Sequence, residues 1–482
     1  MHKKRGIPMR DEKAEPRVDW VRPLTPGAGP RYQQIADLIA QAVQSGALTA
    51  GDQVPPQRWL ASALGVDLTT VTRAYSEARE RGLITSFGGR GSFVAGVSHR
   101  SASAHIDLSM NIPPQPASGD MATQARAAID EIFARQGIAA VSGYQDAWAN
   151  ASLVEAGRLW LRPAVGAQAN QQDVIACAGT QAAIFSVLLS TMRRGEPILC
   201  EALTYPGFLL AAQQLGLRPV GLDADQDGVL PEAIERNHRE TGARVLYLNP
   251  TLQNPTAHTM PVARREAIAA TLAKLGMTLI EDDPYRYLLN DAPPPIAAYT
   301  GGVRTYFMTS LSKCLWPALR TSFILLPREY DAAALQDALR ASSMGCSLLL
   351  TAVAEQWMRS GVARQLMLDI QREARARQTL ARNLLRKDVN ADLGADISTH
   401  PTGLHLWLTL PNQWNRQLFA HALEQQGVQV ACSDDFSVAP NPIDAVRLSI
   451  GGAHSQGDLG QALQRIAALL QEDRRRNVRT IV

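Results

Sequence analysis

The chain has 482 residues, 46% of them hydrophobic and 19% charged. One compact domain takes about 100–200 residues, so this length asks for at least two, and the composition excludes a disordered chain. The net charge of +3 hides an asymmetry: residues 1–100 hold 14 Lys+Arg against 9 Asp+Glu, and the remainder 34 against 36. A basic first hundred residues points to an anionic partner for that part, although a solvated basic tail has the same arithmetic.

No stretch approaches the roughly 18–20 apolar residues that cross a bilayer. The basic start MHKKRGIPMRDEK leads into no apolar run, so neither a membrane span nor a secretory signal is expected. The five cysteines (Cys177, Cys200, Cys314, Cys346, Cys432) are scattered and form no CxxC pair. That pattern predicts reduced thiols in a cytoplasm and no metal site.

Residues 1–28 read as a basic tail, and residues 29–97 as a small domain of three helices and a hairpin. Arg31 to Gln44 carries an apolar stripe at Ile35, Leu38, Ile39, Ala42 and Val43. Pro55-Pro56 can open a second helix, Gln57 to Leu64, because a first-turn residue needs no N–H partner. Gly65-Val66-Asp67 is then a turn, with Asp67 predicted to cap a third helix from Leu68 to Arg81. Two short helices across such a turn make a helix-turn-helix. On the third helix Val71, Ala74, Tyr75 and Ala78 are predicted to face inward. Thr69, Thr70, Arg73 and Ser76 face outward, which suits a helix in a major groove. Residues 83–94 alternate around a Gly-rich turn as a wing with Arg90 at its tip.

These segments resemble the GntR-type winged helix-turn-helix family. The match runs through Gly46-x-Leu48-x-x-Gly51-Asp52, Pro55-Pro56-Gln57-Arg58-x-Leu60-Ala61, Thr70-Val71-x-Arg73-Ala74-Tyr75 and Gly89-Arg90-Gly91-Ser92-Phe93-Val94. The resemblance implies binding to a double-stranded DNA operator through Arg58, Thr69, Thr70, Arg73 and Arg90. Leu68 stands where many members place an arginine, so base readout there must differ.

Residues 98–105, small and polar, are predicted to form a linker. From Ile106 to residue 482, short branched apolar runs alternate with helical stripes, which predicts an α/β body with a mainly parallel sheet. Candidate strands are Val174–Ala176, Ile198–Cys200, Val245–Leu248, Thr278–Ile280 and Tyr306–Met308. Ligands collect beyond the carboxyl ends of such strands. There the sequence places Gly179-Thr180-Gln181 opening a helix, Asn249-Pro250 through Asn254-Pro255, Asp282 with Tyr285, and Ser310 with Lys313 and Arg320. A lysine among small hydroxyl residues, near an anion-binding helix N-terminus and a carboxylate, suits a Schiff base to an aldehyde cofactor that carries a phosphate.

Residues 106–482 resemble the fold type I, class I aminotransferases, whose cofactor is pyridoxal 5'-phosphate. By that resemblance Lys313 is the Schiff-base lysine and Asp282 faces the pyridine nitrogen. Asn254 and Tyr285 hold the ring hydroxyl, and Tyr205 stacks on the ring. Gly179, Thr180, Gln181, Ser310 and Arg320 receive the phosphate, and Tyr144 reaches the phosphate of the neighbouring subunit's cofactor. Arg447 clamps a substrate α-carboxylate; an arginine in a strand near the C-terminus is equally suited to a structural ion pair. After Tyr144 this chain lacks the family's Gly and Leu-Arg pair, so the loop geometry there differs.

A winged helix joined to an aminotransferase-like body resembles the MocR (GabR-like) branch of the GntR regulators. The resemblance implies a cytoplasmic homodimer that regulates transcription and senses an amine or amino acid as an external aldimine displacing Lys313. Two alternatives stay open on sequence: an active aminotransferase with an attached DNA-binding head, and a sensor of pyridoxal phosphate itself.

Overall fold

The computed structural model describes residues 18–471 apart from short stretches at 26, 28, 50–51, 82, 88–90, 95–104, 116–119, 144–149, 301–303 and 386–394. Arg90, Tyr144 and nearly all of the expected linker lie outside the described residues. The chain divides into two compact units, residues 1–104 and 105–482.

In the first unit the expected helices occupy Arg31–Gln44, Gln57–Leu64 and Leu68–Glu80. Gly65 ends the second in the left-handed conformation, φ 61°, which costs a residue without Cβ little. Asp67 stands at the N-cap of the third, but its side chain makes no capping hydrogen bond. Ile84–Phe87 and Gly91–Val94 pair antiparallel as the wing. A short strand, Gln53–Val54, adds to the far side of Gly91–Val94; two residues are too few for a sequence period to register. Val71, Ala74, Tyr75 and Ala78 are buried against Ile35, Ile39 and Leu60. Trp20 is 6% exposed and joins this core. The expected tail 1–28 is therefore part of the fold at that point, because a buried indole removes a large apolar surface from water.

The second unit is built on a seven-stranded sheet. Its order is Val174–Cys177, Ser322–Leu325, Thr305–Ser310, Thr278–Asp282, Val245–Leu248, Pro197–Glu201, Arg218–Leu222. All run parallel except Ser322–Leu325, which is antiparallel to both its neighbours. Neither that strand nor Arg218–Leu222 was anticipated. Ser322–Leu325, Thr305–Ser310 and Val245–Leu248 are buried along their whole length, as a sheet covered on both faces requires. A smaller four-stranded antiparallel sheet follows, in the order Asp396–Thr399, His405–Thr409, Ala445–Ser449, Ala431–Cys432. Helices Arg416–Gln425 and Gln456–Gln471 pack against it. The chain enters the body beside this smaller sheet, where Ile106–Asp107 pairs in parallel with Val428–Gln429.

Candidate functional site

The parallel strands deliver their carboxyl ends to one cleft. Thr180, Tyr205, Asn249, Asn254, Asp282, Pro284, Tyr285 and Lys313 line it. Each residue is placed by a local cause. Asp282 is the last residue of its strand, so the sheet fixes its backbone. Gly179 sits at φ 90° before helix Thr180–Thr191, a conformation that favours glycine. No side chain caps that helix, and its first-turn N–H groups have no acceptor within the helix. The guanidinium of Arg320 lies 3.7 Å from where a Gly179 Cβ would stand, an ordinary van der Waals contact.

Burial shifts both Asp282 and Lys313 from their ordinary titration ranges. Asp282 Oδ2 accepts from the Tyr247 hydroxyl at 2.8 Å, and the Tyr247 ring stacks on Phe208 at 4.0 Å. Its Oδ1 is buried and makes no hydrogen bond among the described residues. Burial pushes this carboxyl up to about 7, against the lowering effect of Tyr247. Burial also lowers Lys313 to about 8, with the Arg447 charge adding to the effect and Asp282 opposing it. A carboxylate short of one partner and an amine close to neutral are what a positively charged heteroaromatic ring and an aldehyde would each engage.

Asn254 Oδ1 accepts from Arg447 Nη1 at 2.7 Å. Arg447 Nη2 donates to the backbone oxygen of Ser109, and its guanidinium lies 4.9 Å from the centre of the Phe436 ring. Its Nε is buried without a partner. The guanidinium is thus paired within the chain, and a carboxylate has to compete for it. Ser310 is buried, and its Oγ accepts from the N–H of Ser312 at 3.1 Å. Gln181 departs from expectation: its side chain donates to Gly207 O at 2.8 Å, which leaves its backbone N–H as the group free for an anion. Gln181 and Arg320 line an adjoining hollow with Ser342 and Ser343 rather than the cleft of Lys313.

Sequence reasoning gave no role to four residues. Asn111 donates to the Tyr285 hydroxyl at 3.0 Å, accepts from Ser449 Oγ at 3.2 Å through its Oδ1, and receives the Lys313 amine on its backbone oxygen. His405 lies 2.9 Å from the Asn111 amide through Nδ1 and 3.1 Å from Gln253 O through Nε2. An amide donor at Nδ1 and a carbonyl at Nε2 select the neutral Nε2–H tautomer. Burial accordingly lowers the ring to about 3. Asn249 donates to Asp282 O at 2.6 Å and holds the Asn254 N–H at 2.8 Å. Tyr247 is the fourth. An Asn or His on an apolar background carries no local signal, since its partners lie in other strands.

In the first unit Arg58, Thr69 and Arg73 are exposed and Thr70 is half-buried. The Arg73 guanidinium lies 4.0 Å from the centre of the Tyr32 ring, at a distance typical of cation–π contacts.

A DNA-reader unit and a PLP-enzyme-like cleft on one chain define a two-part regulator. The comparisons agree with both halves. Residues 31–94 match the model of the bacterial regulatory proteins of the gntR family, and residues 103–466 match aminotransferase class I and II. The chain belongs to the aminotransferase class I and II family and carries a GntR-type DNA-binding domain ahead of it, consistent with the MocR-like regulators. It is 27% identical to the uncharacterised HTH-type transcriptional regulator YdeF of Bacillus subtilis, over 94% of this chain and 97% of that one. It is also 27% identical to the vitamin B6 salvage pathway transcriptional repressor PtsJ of Salmonella typhimurium, over 91% and 99%. The fold is that of a multiple substrate aminotransferase from Thermococcus profundus (TM-score 0.70, 19% identity, 78% of this chain and 93% of that one). It is equally that of the α-aminoadipate aminotransferase LysN from Thermus thermophilus, solved with N-(5'-phosphopyridoxyl)-L-leucine (0.68, 20%, 82% and 98%). Among the described residues no helix is long and apolar enough to cross a membrane, and no His, Cys, Asp and Glu group could hold a metal ion.

Proposed function

We propose that the body holds pyridoxal 5'-phosphate on Lys313 and senses an amine or amino acid there, and that the state of the cleft sets how the head binds DNA. The observation that carries this reading is the pairing of Lys313 with Asp282 across one cleft, with Asp282 Oδ1 buried and unpartnered. When bound, the cofactor supplies an aldehyde for the lysine amine and a protonatable ring nitrogen for the carboxylate. Asp282 would take that nitrogen on its open oxygen. Asn254 and Tyr285 would hold the ring hydroxyl, and Tyr205 would lie against the ring. The first-turn N–H groups of Thr180 and Gln181, with Gly179, Ser310 and Arg320, would receive the phosphate. Arg447 would take the effector's carboxylate in a two-pronged contact. In the head, Arg58, Thr69, Thr70, Arg73 and Arg90 would contact an operator. The bodies pair as a homodimer in this reading, with Tyr144 reaching the cofactor of the second copy, and the protein works in the cytoplasm.

A ligand shifts a regulator only if it binds two states differently. The test is therefore DNA affinity measured with and without cofactor and amine, on a fragment from upstream of the protein's own gene. Visible absorbance after adding pyridoxal 5'-phosphate, lost on borohydride treatment of the lysine adduct, is the expected sign of loading. Turnover of an amino acid with a keto-acid acceptor would sink the purely regulatory reading. A second reading, a sensor of the cofactor itself, is favoured by the likeness to PtsJ, a repressor of vitamin B6 salvage; a DNA response to cofactor without amine would select it.

A further inference from the structure

The route by which the body's contents reach the linker is legible in one short segment. The predicted linker, residues 98–105, leads directly into Ile106–Asp107 in the sequence. Beyond that strand the chain runs as a strap, Leu108–Ile112, into the cleft. Leu108 N–H donates to Gln429 O and Leu108 O accepts from Ser449 N–H, both at 2.8 Å. Asp107 turns the strap by accepting from Ser109 N–H at 2.7 Å and Ser109 Oγ at 2.6 Å. It lies tightly on the residues after Arg447's strand. A Cβ on Gly451 would fall 1.9 Å from Ile112 O, and one on Gly452 would fall 2.1 Å from Asp107 O.

Two strap carbonyls, two residues apart, are held by the side chains of Arg447 and Lys313. Arg447 Nη2 donates to Ser109 O, and Lys313 Nζ to Asn111 O. The Asn111 side chain adds the bonds to Tyr285, His405 and Ser449 described above. Any ligand that engages the Lys313 amine and the Arg447 guanidinium competes with the strap for the same donors. Buried carbonyls that lose a donor must find another partner or move, and the strap is the only described segment joining these carbonyls to the linker in sequence.

Resting on the sensing reading, we propose that the strap Leu108–Ile112 relays the occupancy of the cleft to the linker, with Asn111 as the positioning residue that ties it to Tyr285. The geometry gives the relay two inputs, one through the lysine and one through the carboxylate clamp. Pyridoxal 5'-phosphate works through the lysine, whereas a phosphopyridoxyl amino acid has no aldehyde, leaves the Lys313 amine free and works through the carboxylate clamp at Ser109, next to Leu108.

The test is hydrogen–deuterium exchange of the full chain, with N-(5'-phosphopyridoxyl)-L-leucine as the probe of the carboxylate clamp and pyridoxal 5'-phosphate as the control that engages the lysine alone. Exchange at the amides of Leu108 and Ser449 is expected to rise at least threefold with the probe, and less with the control. If dialysis shows no binding of either compound, the cofactor reading fails and the strap proposal falls with it. If the probe binds and these amides exchange as before, the strap proposal alone is overturned. On DNA, the ratio of affinities with and without probe is expected to shrink at least tenfold in Asn111→Ala. Ser449→Ala keeps the backbone bond to Leu108 and should lose less. A wild-type ratio in Asn111→Ala with the probe bound overturns the assignment.

Discussion

Arg447 and Arg73 are both arginines set over an aromatic ring, at 4.9 Å from Phe436 and 4.0 Å from Tyr32. They teach opposite uses of the same chemistry. Arg447 is 5% exposed and bonded through both terminal nitrogens to Asn254 and Ser109. It cannot leave, so any ligand must out-compete neutral acceptors for a charge already removed from water. Arg73 is exposed, with the Tyr32 ring under one face of its guanidinium. Its charge is hydrated and screened by salt, within a Debye length of about 8 Å at physiological ionic strength. In the proposed function the body would select one small ligand through desolvated donors, whereas the head would track a polyanion through exposed ones.

The contrast is broken most severely by Lys313→Ala. Borohydride-sensitive absorbance with pyridoxal 5'-phosphate is expected to vanish, while the isolated affinity of the head for DNA, being carried by exposed residues, should survive. In the wild type the same absorbance should develop with a midpoint near pH 8 rather than near 10.5. Lys313 is lowered to about 8, and only the neutral amine adds to an aldehyde. A midpoint near 10.5 would mean that the amine is not buried as described.

Next in size is Arg447→Ala. A charge-assisted bond in a buried site contributes about 1.5–3 kcal/mol, so affinity for N-(5'-phosphopyridoxyl)-L-leucine should fall roughly 10–100-fold by isothermal titration, and vary little with salt. Arg73→Ala is expected to act on the other side of the comparison. DNA affinity should drop about tenfold and the slope of log affinity against log salt should shrink by about 1, with the cofactor spectrum unchanged. A slope that stays the same would show that Arg73 meets no phosphate.

A smaller effect concerns His405. Its folded value, about 3, lies below the ordinary 6.5, so its neutral form contributes stability above pH 6.5 that is lost as pH falls toward 3. His405→Gln should flatten stability against pH in that window by denaturant titration. An unchanged slope would place the acid sensitivity elsewhere. The smallest is Tyr32→Leu in a double-mutant cycle with Arg73→Ala. A coupling of about 0.5–1 kcal/mol is expected in DNA binding, and none if the ring merely fills space.

Much of this protein was legible as sequence. Helix stripes, Gly65 and Pro55-Pro56 placed the head's helices within a residue or two, because side-chain periodicity and turn chemistry act over a few positions. Strand ends followed by Gly179-Thr180, Asn254, Asp282 and Lys313 marked the cleft, because parallel strands expose their carboxyl ends on one edge of a sheet. Beyond that reach stood Trp20 in the head's core, the antiparallel strand Ser322–Leu325, and the side-chain commitment of Gln181 to Gly207. So did the assembly of Asn111, Tyr285, His405 and Ser449 into one hydrogen-bonded group. Asn111 is 174 residues from Tyr285 and 294 from His405. Local propensity carries no information over such separations. Their meeting depends on how the small sheet packs against the large one and on a strap held by backbone bonds to Gln429 and Ser449. The sequence alone determined which side chains could do the chemistry. The tertiary structure decided which of their bonds are already made, and so what a ligand has to displace.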